Sequence, residues 1–436
     1  MAVHTLANGL RLVHTYVPST AMVAVNVLYD VGARDESPEL TGIAHLFEHL
    51  MFGGSVNVPS FDGELEEAGG MSNAWTSDDF TNFYDILPAQ NIETALRLES
   101  DRMLSLSFSQ RSLDIQKGVV IEEFKQQCLN QPYGDLGHHL RGMLYAPGHP
   151  YRIPVIGKDP SHIENATLED IRRFFFAHYA PDNAILSIAG NVDYDTTVRL
   201  VEKWFGGIPS RNVAARGSVA SGTMPGQGQT LTVHGRVPQT MIVAAWRMAA
   251  YNEPDYIPCD IITDLLASGN SSRMRRNLIL GTDLFVEADA SISGLEGHGY
   301  LMLTAKPSAE DSETVAAATA ALISEARKLC DPAAITGHEL QRAANRYEAD
   351  GICRAGPYRR HCRIPRRRPR TGHRAISECR QGGGHSGCGT PYPVIRTGRT
   401  AIPPTLGAYA IRRLMAWAKE VSCKLFIGQS YYIDRI

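Results

Sequence analysis

The chain has no apolar run of 18 or more residues, so it offers no candidate for a membrane-spanning helix. Its start, Met1-Ala2-Val3-His4-Thr5, lacks the basic and apolar regions of a secretory signal. The expectation is a cytoplasmic protein with no membrane partner, periplasmic residence through a partner being left open. Charge of one sign is also missing, since the net charge is -3 over 436 residues. That gives no overall pull toward nucleic acid or a membrane surface. Cysteines number eight, no Cys-x-x-Cys occurs, and the Cys/His spacings fit no zinc module. A disulfide scaffold is excluded, and free thiols are expected. Collagen-like and coiled-coil readings of the whole chain fail as well. Hydrophobic residues at 43% and charged residues at 20% are ordinary for globular chains, and the length suits two or three domains.

One window is short of almost everything but arginine. Between Arg354 and Arg399 there are 12 Arg, no Lys and a single acid, Glu378, giving +11 and leaving -14 for the remainder. Cys353, Cys362, Cys379 and Cys388 lie in or beside it. Neither the period of a strand nor that of a helix is evident there. Translation out of frame from about residue 350 accounts best for the change in composition. A basic flexible insertion and a nucleic-acid or metal module are the alternatives. Scarce aromatics and the acidic remainder weigh against nucleic acid as a partner.

Before that window the patterning is regular. Leu10 to Val13 reads as a strand, and Val23, Val25, Val27 and Tyr29 alternate as in a half-buried strand. Ser37-Pro38-Glu39 opens a helical pattern continued by Ile43, Leu46, Phe47 and Leu50. An extended stretch from Asn73 to Leu87 follows Gly69-Gly70. Helices are expected over Ala89 to Leu104 and Ser112 to Leu129, and a strand over Ala184 to Ile188. Strands followed by helices, without strict alternation, favour an α+β fold.

Asn212 to Gln229, rich in Gly, Ala and Ser, reads as a linker. Beyond it the beginning recurs. Val13-His14, Val17-Pro18, Thr20 and Val23-Ala24 match Val233-His234, Val237-Pro238, Thr240 and Val243-Ala244 at a constant offset of 220. The repeat implies two similar domains, 1–211 and 230–436, joined by 212–229. Each would hold a mostly antiparallel sheet packed on helices. In the second, a helix is expected near Asp255 to Ala267, an extended stretch near Gly299 to Ala305, and a helix over Asp311 to Leu329.

His45-Leu46-Phe47-Glu48-His49 carries the chemistry. On a helix, residues four apart share a face, so two imidazoles can grip one metal while Glu48 stands beside them. His and carboxylate suit zinc, and an open fourth position makes such a site catalytic. The order His-x-x-Glu-His matches the inverzincin motif. A third ligand is available in Val119-Val120-Ile121-Glu122-Glu123, where spacing alone leaves both Glu122 and Glu123 open.

The chain resembles the M16 (pitrilysin/insulinase-like) metallopeptidase family in its two-domain bacterial form. The resemblance rests on Gly42 to Gly54, Gly69-Gly70, Asn73-Ala74-Trp75-Thr76, Leu98 to Met103, Val119 to Glu123, Ile156-Gly157 and Phe205 to Pro209, and extends to about residue 349. It implies two clamshell-half domains, one active and one inactive. It also implies one Zn2+ per chain on His45, His49 and a downstream Glu, with Glu48 as general base toward a zinc-bound water. The family's phase selects Glu123, 74 residues after His49. Where the family often has a supporting Glu, seven residues earlier, this chain has Gln116. Asn73, Ala74, Trp75 and Thr76 match the family's edge strand, to which a substrate peptide adds as a further strand. At the offset of 220, the pentapeptide becomes Leu265-Leu266-Ala267-Ser268-Gly269, so the second domain has no zinc motif. The expected activity is zinc-dependent endopeptidase action on unfolded peptides or short protein segments. The expected assembly is a homodimer, or a heterodimer with a second M16-like subunit. A non-catalytic structural subunit, or a chain disabled by a disrupted C-terminal domain, is the alternative.

Overall fold

The computed structural model describes residues 1–217, 219, 229–354 and 430–435. The chain divides into two compact units, the first holding Met1–Pro225 and the second Gly226–Ile352. The reading of the arginine-rich window falls almost wholly outside the described residues.

The first unit opens with strands β1 (Ala2–Thr5), β2 (Arg11–Tyr16) and β3 (Met22–Tyr29). Helices α1 (Ile43–Leu50) and α2 (Phe61–Glu67) follow, then a hairpin of β4 (Met71–Thr76) and β5 (Thr81–Pro88). Next come α3 (Ile92–Ser105), α4 (Gln110–Phe124), α5 (Leu136–Leu144), α6 (Pro160–Asn165) and α7 (Leu168–His178). Strand β6 (Ala184–Gly190) and α8 (Tyr194–Phe205) complete the unit. The sheet order is β1-β2-β6-β3-β5-β4, antiparallel except for β2 beside β6. Val23, Val25 and Val27 are fully buried on the central β3, and Ala24 and Asn26 between them are buried too, so both faces of this strand are covered and not one.

The second unit holds β7 (Thr232–Gly235), β8 (Met241–Arg247), α9 (Tyr256–Ala267), β9 (Phe285–Ser293) and β10 (Tyr300–Pro307). Helices α10 (Ser312–Arg327) and α11 (Gly337–Arg354) and strand β11 (Ser430–Arg435) follow. Its sheet order is β7-β11-β8-β10-β9. Strand β11 runs parallel to β7 and antiparallel to β8, as β6 runs to β2 and β3. The 220-residue offset carries β2, β3 and β5 onto β7, β8 and β10 within one or two residues. Each unit is therefore α+β, with one mostly antiparallel sheet packed on helices. No described helix is long and apolar enough to cross a membrane.

Three expectations need correction. The helix read from Pro38 begins only at Ile43, because Gly42 adopts φ +87 and breaks the path into it. The extended stretch Asn73 to Leu87 is two strands. Ser77 Oγ accepts from Asp79 N and Phe80 N and donates to Phe80 O, building a tight turn between them. The helix read to Leu129 ends as an α-helix at Phe124 and widens into a π-type turn over Lys125–Leu129.

Candidate metal centre

Helix α1 has eight residues, and its fixed position comes from packing rather than length. Ile43, Ala44, Leu46, Phe47 and Leu50 are buried. Phe47 stacks on Tyr179 at 4.4 Å and on Phe175 at 5.8 Å. That apolar face turns His45, Glu48 and His49 toward the opposite side. On α4, Leu113, Val120 and Phe124 are buried and leave Glu123 facing α1.

His45 Nε2 and His49 Nε2 lie 3.3 Å apart, and each is 3.5 Å from Glu123 Oε2. A tetrahedral zinc with bonds of about 2.05 Å has ligand-to-ligand edges of about 3.3 Å. The three donor atoms thus span one face of such a tetrahedron, and their N, N, O chemistry suits the ion. Among the described residues this is the one group of His, Cys, Asp and Glu so disposed. His45 Nδ1 is buried without a hydrogen-bond partner, so this ring is held by packing and by its Nε2 side.

Electrostatics fit the same arrangement. Burial pushes the His45 imidazole well below its ordinary range, with His49 adding to the effect and Glu123 opposing it. A neutral ring is the form that binds metal. The hydrogen bond with His49 holds Glu123 below the usual carboxylate range, against burial. Gln127 Nε2 donates to Glu123 Oε1 at 2.6 Å and fixes the other oxygen. Burial raises Glu48, and the Thr76 hydroxyl, which donates to Glu48 Oε2, pulls it back.

Of the two adjacent acids, Glu123 is the one that faces the histidines. Glu122 is exposed and lies 3.7 Å from Lys125 Nζ, away from the histidines. Gln116 lies two turns before Glu123 on α4 and is half-buried. Asn73, Ala74, Trp75 and Thr76 all lie on β4, the edge strand of the first sheet, paired on one side with β5. Thr76 is buried at the end of that strand and touches Glu48, a contact its sequence position did not announce. Sequence reasoning also missed Glu36. Its Oε2 accepts from Gly42 N and its Oε1 from Ala44 N, both at 2.8 Å. Burial pushes Glu36 up to about 8, although the two amide donors pull it down. Gln127 was findable, being four residues after Glu123 on the same face. No periodicity signals Glu36.

Comparison with known proteins gives consistent matches. Residues 11–146 match the model described as Insulinase (Peptidase family M16), and residues 165–347 match Peptidase M16 inactive domain. The Zinc protease PqqE of Helicobacter pylori is 31% identical over 280 residues, 63% of this chain and 63% of that protein. The Probable mitochondrial-processing peptidase subunit beta of Arabidopsis thaliana is 26% identical over 274 residues, 62% of this chain and 51% of that one. The chain spans less than two thirds of the length of these curated relatives. The crystal structure of a protease from Helicobacter pylori superposes with TM-score 0.77 at 24% identity, covering 100% of this chain and 99% of that one, which shows a shared fold.

Proposed function

The chain belongs to the M16 peptidase family, and we propose that it is a zinc-dependent endopeptidase acting on unfolded peptides or short protein segments. The carrying observation is the tetrahedral-edge spacing of His45 Nε2, His49 Nε2 and Glu123 Oε2, with Glu48 beside them. These three residues would hold one zinc ion per chain. When bound, zinc supplies Lewis-acid polarisation of a peptide carbonyl and makes water acidic near neutral pH. Residues 1–211 are assigned as the catalytic domain, 212–229 as the linker and 230–436 as the inactive domain.

Glu48 is the general base in this reading. Its carboxylate takes a proton from the attacking water and returns it to the leaving amine nitrogen, so the base is regenerated with each turnover. The Thr76 hydroxyl holds Glu48 Oε2 in place for both transfers. Among the described residues no strand pairs with the outer side of β4, where Ala74 N donates to Asn73 Oδ1 at 2.8 Å, and a substrate in extended form adds there as a further strand. Asn73, Ala74 and Trp75 flank that strip. Recognition through main-chain groups favours flexible segments over a fixed side-chain sequence. Gln116 serves as a neutral support two turns before Glu123. A homodimer, or a heterodimer with a second M16-like chain, is supported by the relative named as a subunit of a processing peptidase. The intact ligand set weighs against a purely structural subunit.

The test is cleavage of an unstructured quenched fluorescent peptide with zinc, with chelator, and by Glu48→Gln. Expected are loss of cleavage under chelation and a drop of about 10²- to 10⁴-fold in the variant, with about one zinc per chain kept by the variant. Cleavage indifferent to both treatments would sink the proposal.

A further inference from the structure

We propose that the segment Gly32–Glu36 is the fixture that sets the metal helix against strand β4, with Glu36 and Gly32 as its positioning residues. This rests on the reading of the site given above. The first half of the case is the bidentate grip of Glu36 on Gly42 N and Ala44 N, each at 2.8 Å. The first amides of a helix have no partner within it, and here the residue before α1 is Gly42, which has no side chain to cap them. A side chain bound through both of its oxygens is fixed in rotation as well as distance. Ala44 immediately precedes His45, and α1 is only two turns long. A tilt at its beginning therefore moves His45, Glu48 and His49 together.

The second half is the grip of the same segment on the β4–β5 turn. Ala33 N donates to Ser77 O at 3.1 Å, and Arg34 N donates to Asp78 O at 2.9 Å. Arg34 Nη1 donates to Asp79 Oδ1 at 3.0 Å. A Cβ on Gly32 would stand 2.5 Å from both Ser77 O and Asp78 O, so a side chain there would drive the turn away. The turn follows Thr76 directly, and Thr76 donates to Glu48. The contacts close a ring: Glu36 to α1, Glu48 to Thr76, the turn back to Gly32–Arg34. The edge strand and the metal ligands are held in one register by five residues that touch neither metal nor peptide.

The test compares wild type with Glu36→Leu, Glu36→Gln and Gly32→Ala. Three quantities are read: zinc affinity by competition with a chromophoric chelator, kcat and KM on the quenched peptide, and amide exchange over residues 42–50 in the zinc-free chain. Leu keeps volume but no acceptor. It should weaken zinc and quicken exchange at Gly42 and Ala44 by about tenfold or more. Gln keeps one acceptor and should stay within about threefold of wild type in zinc affinity, with a measurable rise in exchange. Gly32→Ala should keep zinc yet lose about tenfold in kcat/KM. A folded Glu36→Leu with wild-type zinc affinity and exchange would overturn the proposal, as would Gly32→Ala with wild-type kinetics. If Glu36→Leu does not fold, unchanged exchange in Glu36→Gln overturns it. A wild type that binds no zinc would defeat the reading of the site, while the zinc-free exchange data would still judge the Glu36 anchor.

Discussion

The two units share the order of five strands, the first adding β1 at one edge, yet treat one helix in opposite ways. Displaced by 220 residues, α9 (Tyr256–Ala267) covers positions 36 to 47 of the first unit, whereas α1 there starts at Ile43. In the second unit the stretch is coiled from its beginning, and Tyr256 stands where Glu36 stands in the first. In the first unit that stretch is uncoiled, which frees Glu36 to turn back onto the amides of α1. The far ends differ too. His45 corresponds to Leu265, which is fully buried, and His49 corresponds to Gly269, beyond the end of α9. The scaffold therefore survives without the metal motif. The His-x-x-Glu-His motif is an overlay on one short helix, and it comes with a different way of entering that helix.

The sharpest way to break the contrast is His45→Leu, which gives the first unit the residue of the second. Zinc binding and peptide cleavage should both fall to background, with the fold retained, as read by metal content, cleavage rate and circular dichroism. Retained zinc would mean that the two positions differ for another reason.

A smaller effect concerns the buried ion pairs. In the first unit Arg102 Nε donates to Glu99 Oε2 at 2.8 Å, and the guanidinium lies 4.3 Å from the Phe61 ring and 4.4 Å from the Phe83 ring. In the second, Arg273 donates to both Glu339 oxygens at 3.0 and 2.9 Å. Glu99→Ala removes the carboxylate that binds a buried cation, leaving Asp85 as the acid that shares the cluster, and should cost about 3–5 kcal/mol. Glu339→Ala should cost less, because the Arg273 guanidinium left behind keeps a hydrogen bond to Ala334 O and is slightly less buried than Arg102. Chemical denaturation of each variant checks the order, and equal losses would erase the distinction.

The smallest expected effect is in pH. Burial would raise Glu339, but hydrogen bonds from Arg273 and Thr336 hold it down to about 2. A depressed acid stabilises the fold above its ordinary value of 4.5, and that contribution is lost as pH falls toward 2. Glu339→Gln should flatten the fall in stability of the second unit between those values. An unchanged slope would assign acid lability to other carboxylates.

Much of this was legible in the sequence, for stated reasons. His45, Glu48 and His49 are readable because a helix period and a ligand pattern coincide. Glu123 was separable from Glu122 only through the resemblance, since adjacent acids look alike until the buried face of α4 is known. The repeat was visible in seven identities, and the matching strand orders explain them. The start of α1 was misread because Ser37-Pro38-Glu39 is a good local beginning, while the real one depends on Gly42 at φ +87 and an acid six residues before it. The β4–β5 turn was missed because Ser77 makes it with side-chain hydrogen bonds in a stretch otherwise patterned for extension. Tertiary partners of that kind leave no period behind them.

Trp75 gives the edge strand a further property. The chain has four tryptophans, and this one lies half-buried on β4, edge-on to Phe80 at 4.9 Å. An indole beside an open strand edge changes its emission when neighbouring water is displaced. A peptide that adds to β4 as proposed would thereby write its own optical signal, and its occupancy could be followed in the unlabelled protein.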